Sequence, residues 1–323
     1  MVMKKLRWFG LAMALVALPV APTNAQGYPN KLIRIVAPFP PGSATDAMAR
    51  MLGQGITEVT GQNVIVENRP GASGVLAGDN VAKSQPDGYT ILFGTHTTHA
   101  ANRWLLTQMP FDPVKDFEPV SGLAKGWFFL VVNPKSPIKN VKDLIDKANN
   151  APGTMTYGGG GAGSRVSVEQ FAQMEKIKFA YVPYRGNPEA IHDLLGGRLD
   201  FMIADTTTAL PQIKSGGLRA VAFTGSKRSP LVPDVPTFDE EGVKGYDASY
   251  WQAIYVPAKT PVPIVNELNA LIHKAMTLDR VKIFLNTVGV VSFLTTPQYL
   301  AVFQEEQSEI IGKIIRDAGI EPQ

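Results

Sequence analysis

IRIVAPFPPGSATDAMARML, residues 33–52, starts with the pattern of a strand and ends with that of a helix. Ile33, Ile35, Val36 and Ala37 form a short apolar run bounded by Pro38, and Ala47, Met48, Met51 and Leu52 recur at helical spacing. Pro40 and Pro41 stop the strand, because proline has no N–H to give to a ladder. Gly42 lets the chain turn where a side chain would clash, and Ser43 or Thr45 is placed to cap the helix. The first turn of such a helix carries N–H groups without intrahelical acceptors and the positive end of the helix dipole. Residues 39–46 therefore predict an anion seat in which a carboxylate fits, with Phe39, Gly42, Ser43, Ala44, Thr45 and Asp46 as its candidates. Asp46 is read as a cap or support, since a carboxylate facing an anion would repel it. The competing reading is an ordinary strand-to-helix turn whose Pro and Gly serve geometry alone.

Around this unit the chain alternates strands and helices. Strands are predicted at residues 63–67, 89–93, 155–157, 179–183, 199–204, 218–224 and 251–257, with helices between most of them. Short links between such units predict an α/β fold with a largely parallel sheet. Two extended runs, residues 117–123 and 127–133, mark passage into a second unit that repeats the plan. Residues 218–224 read as the strand that returns, and two helices, 263–278 and 297–318, close the chain. The expectation is a two-lobe clam-shell: lobe one from 26–123 and 222–323, lobe two from 124–221. Ligands of such sheets bind at the carboxyl ends of strands, which here points at the cleft between lobes.

The 323 residues suffice for two domains, and 45% apolar with 18% charged residues is a globular composition. The absence of cysteine excludes disulfides, zinc–thiolate sites and cysteine nucleophiles. Lys4, Lys5 and Arg7 precede an apolar stretch, residues 8–20, and small residues at 23–25. This reads as a secretory signal peptide, residues 1–25, and predicts a periplasmic protein. Taking those three basic residues from the net charge of +3 leaves zero, so neither nucleic acid nor an anionic membrane is predicted as partner. No later segment is apolar enough to cross a bilayer.

Tyr157-Gly158-Gly159-Gly160-Gly161-Ala162-Gly163-Ser164 is the second chemical stretch. Gly158, Gly160 and Gly163 match G-x-G-x-x-G, a dinucleotide fingerprint, but the acid expected about 20 residues on is replaced by Val182-Pro183-Tyr184-Arg185. The stronger reading is a second anion cradle from Gly160, Gly161, Ala162 and Ser164, leading into a helix predicted from Arg165 to Met174, with Arg165 adding charge. A solvated Arg165 is the competing reading. Thr95 and Thr97, in a hydroxyl-rich loop, and Asp205 with Thr206 occupy further strand ends. Trp127 or Phe39 offers a surface for an aromatic acid, although Trp127 also reads as hinge packing. His96, His99, His192 and His273 show no metal-ligand spacing, and no G-x-S-x-G or paired nucleophile and base is visible. No catalytic residue, metal or cofactor is predicted. An exported NAD(P)-dependent or other α/β enzyme is the alternative, and a periplasmic sensor partner the third reading.

In these motifs the chain resembles the Bug, or tripartite tricarboxylate receptor, family of periplasmic solute-binding proteins. The resemblance is carried by Ala37-Pro38-Phe39-Pro40-Pro41-Gly42 with Thr45-Asp46, by Val66-Glu67-Asn68-Arg69-Pro70-Gly71 and by Pro86-Asp87-Gly88-Tyr89-Thr90. Phe111-Asp112-Pro113-Val114-Lys115-Asp116-Phe117, Val182-Pro183-Tyr184-Arg185-Gly186, Leu194-Leu195-Gly196-Gly197 and Pro233-Asp234-Val235-Pro236-Thr237 continue it, in order, over essentially the whole mature chain. It implies a type II periplasmic binding fold and delivery of carboxylates to a two-subunit membrane transporter; the expected ligand is a small di- or tricarboxylate, aliphatic or aromatic such as terephthalate. It also implies that the loops holding Phe39 to Asp46, Thr95 to Thr98, Gly160 to Ser164, and Asp205-Thr206 line the site of a monomeric receptor. Ser43 replaces a usual glycine, the second cradle is two residues shorter than usual, and Arg165 stands where the family often has His.

Overall fold

The computed structural model describes residues 27–322. The leader read as a signal peptide lies outside the described residues. The opening unit folds as its sequence predicts. Strand β1 (Ile33–Ala37) is buried and runs parallel to β2 (Val64–Asn68) on one side and β3 (Thr90–Thr95) on the other. Helix α1 (Ala44–Thr60) follows β1 and turns Met48, Ala49, Leu52 and Ile56 onto the sheet. Helix α2 (Val75–Ala82) joins β2 to β3, and a widened helical turn at Thr97–Ala101 leads into α3 (Asn102–Leu105).

The two extended runs expected at 117–123 and 127–133 are one strand, β4 (Phe117–Val132). Gly122 and Gly126 look like breaks in the sequence but are points of close approach. A Cβ on Gly122 would lie 2.3 Å from the Phe293 carbonyl oxygen, and one on Gly126 would lie 2.4 Å from Tyr250 Cζ. Irregular register between Pro119 and Ser121, and between Gly122 and Ala124, keeps the strand continuous. β4 is therefore the spine of the molecule: its first half belongs to one sheet and its second half to another.

The second lobe contains α4 (Val141–Asn150), β5 (Thr156–Gly160), α5 (Ala162–Glu175), β6 (Ala180–Tyr184), α6 (Asn187–Leu195), β7 (Met202–Asp205), α7 (Thr206–Lys214) and β8 (Arg219–Phe223). β7 and β8 pair antiparallel with β4 from Phe128 to Val132, and β5 pairs parallel with β6. Tyr157, Phe171, Phe179 and Phe201 pack ring against ring beneath these strands. β9 (Ser249–Pro257) pairs with β3 and with Phe117–Trp127 of β4. Helices α8 (Val262–Met276) and α9 (Asp279–Val288), strand β10 (Val291–Ser292) and α10 (Pro297–Asp317) complete the chain. Among the described strands, the one at 219–223 pairs with β4 and not with the first lobe's parallel strands, with one further parallel bridge from Phe223 to Thr237; β9 makes the connection to the first lobe. As a proposal for the lobes, this pairing moves the second boundary from residue 222 toward Ser249.

The glycine run departs from expectation. Gly158, Gly159 and Gly160 belong to β5, and α5 starts at Ala162 rather than Arg165. Close packing explains this: a Cβ on Gly160 would lie 2.1 Å from Gly186 Cα, and one on Gly159 would lie 2.4 Å from Ser164 Cβ. The glycines admit neighbouring backbone rather than forming a loose loop.

Candidate ligand-binding site

Three helices begin at one cavity of about 60 Å³ between the lobes: α1 from the first, α5 and α7 from the second. At α1, Ser43 is the cap and its Oγ accepts the Asp46 N–H at 3.3 Å, while lying 3.0 Å from Thr45 Oγ1. The N–H groups of Ala44 and Thr45 have no acceptor among the described residues. Both residues line the cavity, together with Phe39 and Ser43. Asp46 faces away: its Oδ2 accepts the Gly42 N–H at 3.0 Å and its Oδ1 pairs with Arg50 at 2.8 Å. Burial pushes the Asp46 carboxyl up, but Arg50, the Gly42 N–H and Asn68 together hold it below the ordinary range.

At α5, Gly161 takes φ 86°, a left-handed conformation that suits glycine, and a Cβ there would lie 2.8 Å from Phe39 Cζ of the opposite lobe. The Ala162 N–H donates to Thr97 Oγ1 at 3.2 Å, a hydrogen bond between lobes. Ser164 lines the cavity, but its hydroxyl donates to Asn187 Oδ1 at 3.3 Å rather than toward the cavity. Asn187 Oδ1 also accepts the Gly160 N–H at 2.9 Å, and its Nδ2 donates to Asp205 Oδ2 at 2.6 Å. One amide thereby fixes the end of β5, the first turn of α5 and the cap of α7. Asp205 caps α7 by accepting the Thr208 N–H at 2.9 Å. Burial raises the Asp205 carboxyl above its ordinary range, against the pull of Asn187 and Thr208.

The structure brings Phe39, Ser43, Ala44, Thr45, Thr95, Thr97, Gly160, Ser164 and Asp205 to the cavity. Gly42, Asp46, Gly161, Ala162 and Thr206 stand behind it; Thr206 Oγ1 lies 3.4 Å from both Tyr250 Oη and the Gly289 carbonyl oxygen. Arg165 is not brought there. Its guanidinium sits over the Tyr181 ring, 5.1 Å from the centroid, because the earlier start of α5 turns this position toward β6. No lysine or arginine is among the lining residues. An anion here would be held by helix N–H groups, hydroxyls and amides, with the dipoles as the source of positive potential.

Sequence reasoning missed His96, Phe128, Asn187, Tyr250, Trp251 and Gln252, all of which line the cavity. Three of them lie on β9, far along the chain, where Gln252 is 3% exposed among buried aromatic and aliphatic residues. A polar amide at that position is the signal that was available: the Gln252 backbone is paired in the sheet with Thr95 and Ala124, but its side-chain amide has no hydrogen bond to another described residue. His96 is pushed down to about 4 by burial, partly opposed by a contact with the Trp251 backbone, and is neutral at pH 7. Trp127 is not in the cavity; its ring packs 6.3 Å from that of Phe223.

His99, behind this wall and 1% exposed, stacks on Tyr255 at 3.7 Å and is pushed down to about 3 by burial. The unfolded chain protonates it near 6.5, so its neutral burial stabilises fully above that pH and the contribution is lost as pH falls toward 3. Urea unfolding at pH 7 and pH 4.5 is expected to show a loss of about 2 kcal/mol from this group, which His99→Gln abolishes. Equal slopes in both proteins would contradict this.

A bilobal α/β molecule whose helix beginnings converge on an interlobe cavity is a periplasmic-binding-protein architecture. The matching family model is that of the tripartite tricarboxylate transporter family receptor, over residues 48–320. The chain belongs to that family, as its motifs predict. BugT of Bordetella pertussis is 33% identical over 302 residues, covering 93% of each chain. An R. palustris protein solved with adipate superposes with a TM-score of 0.89 at 33% identity, over 92% of this chain and 100% of the other. MatC from Rhodopseudomonas palustris, solved with bound malate, gives 0.84 at 29% identity over 89% and 100%.

Proposed function

We propose that this chain is an exported receptor that closes on a small aliphatic dicarboxylate and hands it to a two-subunit membrane transporter. The observation that carries the reading is the pair of helix beginnings, α1 and α5, that meet one cavity from opposite lobes. One carboxylate takes the Ala44 and Thr45 N–H groups; the other takes the first turn of α5, and Gln252 supplies an amide between them. Contacts with both lobes favour the closed form, which is how capture couples to shape. Neutral donors bind an anion without a buried cation, so reopening leaves no unpaired charge behind. Support for binding rather than catalysis comes from Ser164, whose proton goes to Asn187 and not to a base.

A thermal-shift screen of malate, adipate, citrate, terephthalate and NAD tests the reading. An aliphatic diacid at 100 times its dissociation constant is expected to add about 2.7 kcal/mol of stability. A shift with NAD and none with any acid would overturn the proposal in favour of a nucleotide-using enzyme.

A further inference from the structure

A second recess lies beside the crossing strands, away from the cleft: a groove of about 510 Å³. Its floor is aromatic, with Trp127 and Phe223 tilted against one another at 51°. Leu231 forms one side, and Val290 with Val291 forms the other. Val291 is 49% exposed, so apolar surface stands open at the rim. The two sides belong to different halves of the molecule. β10, which carries Val291, pairs with Lys125 and Ala124 of β4; β8, which ends in Phe223, pairs with the opposite end of β4. The halves touch at Gly289, where a Cβ would lie 3.2 Å from Leu231 Cδ1 and 3.7 Å from Thr206 Cβ.

Two cations stand at the groove, and they are not equivalent. Arg228 is committed: its Nε donates to both carboxylate oxygens of Glu240, at 3.0 and 2.8 Å, and its Nη1 to the Pro233 carbonyl at 3.0 Å. Lys227 is exposed and has neither hydrogen bond nor ion pair with another described residue. An aromatic floor, aliphatic sides and one uncommitted ammonium complement a flat apolar body with a single negative head. A second charge on the ligand would be pressed against apolar walls without a partner.

We propose that this groove is a second binding site, for an aromatic monocarboxylate. We further infer that its occupation is linked to closure of the cleft, because its two sides are attached to different stretches of β4, the strand that joins the lobes. The ligand class stands on the groove alone; the linkage rests on the cleft reading above. An occupant that touches both sides holds the lobes in their present relation, and linkage requires the cleft ligand to tighten the groove ligand by the same factor.

Calorimetric titration of benzoate into the full protein, with and without saturating adipate, is the test. Benzoate is expected to bind in both cases, and about three- to tenfold more tightly with adipate present. Lys227→Gln, and separately the neutral probe benzyl alcohol, are expected to lose about three- to fivefold. Trp127→Leu gives an independent loss of the apolar contact. Displacement of benzoate by adipate would overturn the second site, as would affinities unchanged in both variants. Equal benzoate affinity with and without bound adipate would overturn the linkage. Benzoate binding that depends on Lys227, in a protein that takes up neither adipate nor malate, would support the groove's ligand class and sink the cleft reading instead.

Discussion

Replacing Ala44 with proline is expected to weaken dicarboxylate binding about 10- to 100-fold while leaving the fold intact. Ala44 is the first residue of α1, where proline's fixed φ suits the helix and its missing N–H is not needed within it. Ser43 before it has ψ 163°, the extended conformation that a residue preceding proline adopts. The substitution therefore deletes one donor at the cavity and sets the ring Cδ where that proton pointed, both of which act against an anion in this seat. A hydrogen bond to a charged acceptor contributes about 1.5–3 kcal/mol, which sets the expected loss. Calorimetry with malate and adipate, alongside the melting temperature of the free protein, checks both halves. Unchanged affinity in a well-folded variant would remove the α1 beginning from the site.

The second large effect is expected from Gly186→Val, which leaves the chemistry of the site untouched and obstructs closure. Gly186 lies in extended backbone, φ −165° and ψ 163°, where valine is at ease. A Cβ there would meet Pro40 Cγ at 2.6 Å and Cδ at 2.7 Å, and Pro40 precedes α1 in the other lobe. Its own lobe offers no comparable obstacle, the nearest atom being Pro188 Cδ at 3.6 Å. Overpacking costs about 1–3 kcal/mol, and here that cost falls on the closed form alone. Affinity is then expected to drop about 5- to 150-fold. Small-angle scattering of the saturated variant should show a wider molecule than the saturated native protein. Equal affinity and equal compaction would mean that the lobes do not close along this line.

The parts of this account that were legible in the sequence are those with local causes. The strand, turn and helix of residues 33–52 follow from proline chemistry and apolar spacing, and they appear as β1 and α1 with Ser43 at the cap. Asp46 was readable as a support because its charge argued against facing an anion, and it bonds Gly42 and Arg50. What could not be read depends on distant partners. The run Gly158 to Gly160 has a flexible composition, yet it is strand because Gly186 and Ser164 crowd it. That crowding advances the start of α5, and the advance takes Arg165 away from the cavity and onto Tyr181. Asn187 sits 18 residues before the Asp205 that it bonds, and Gln252 reaches the cavity only because β9 lies between β3 and β4. Long-range strand pairing carries no local signature; the buried amide of Gln252 marks the crossing strand as unusual, but nothing local says that it meets this cavity.

Everything rests on two helix beginnings from opposite lobes acting on one anionic guest. The most direct measurement is the backbone amide spectrum of the ¹⁵N-labelled protein, assigned and titrated with adipate. The Ala44 and Thr45 amide protons at α1, and the Gly163 and Ser164 amide protons at α5, are expected to move downfield together with one dissociation constant. Saturation that shifts the amides of one lobe alone, or of neither, would contradict it.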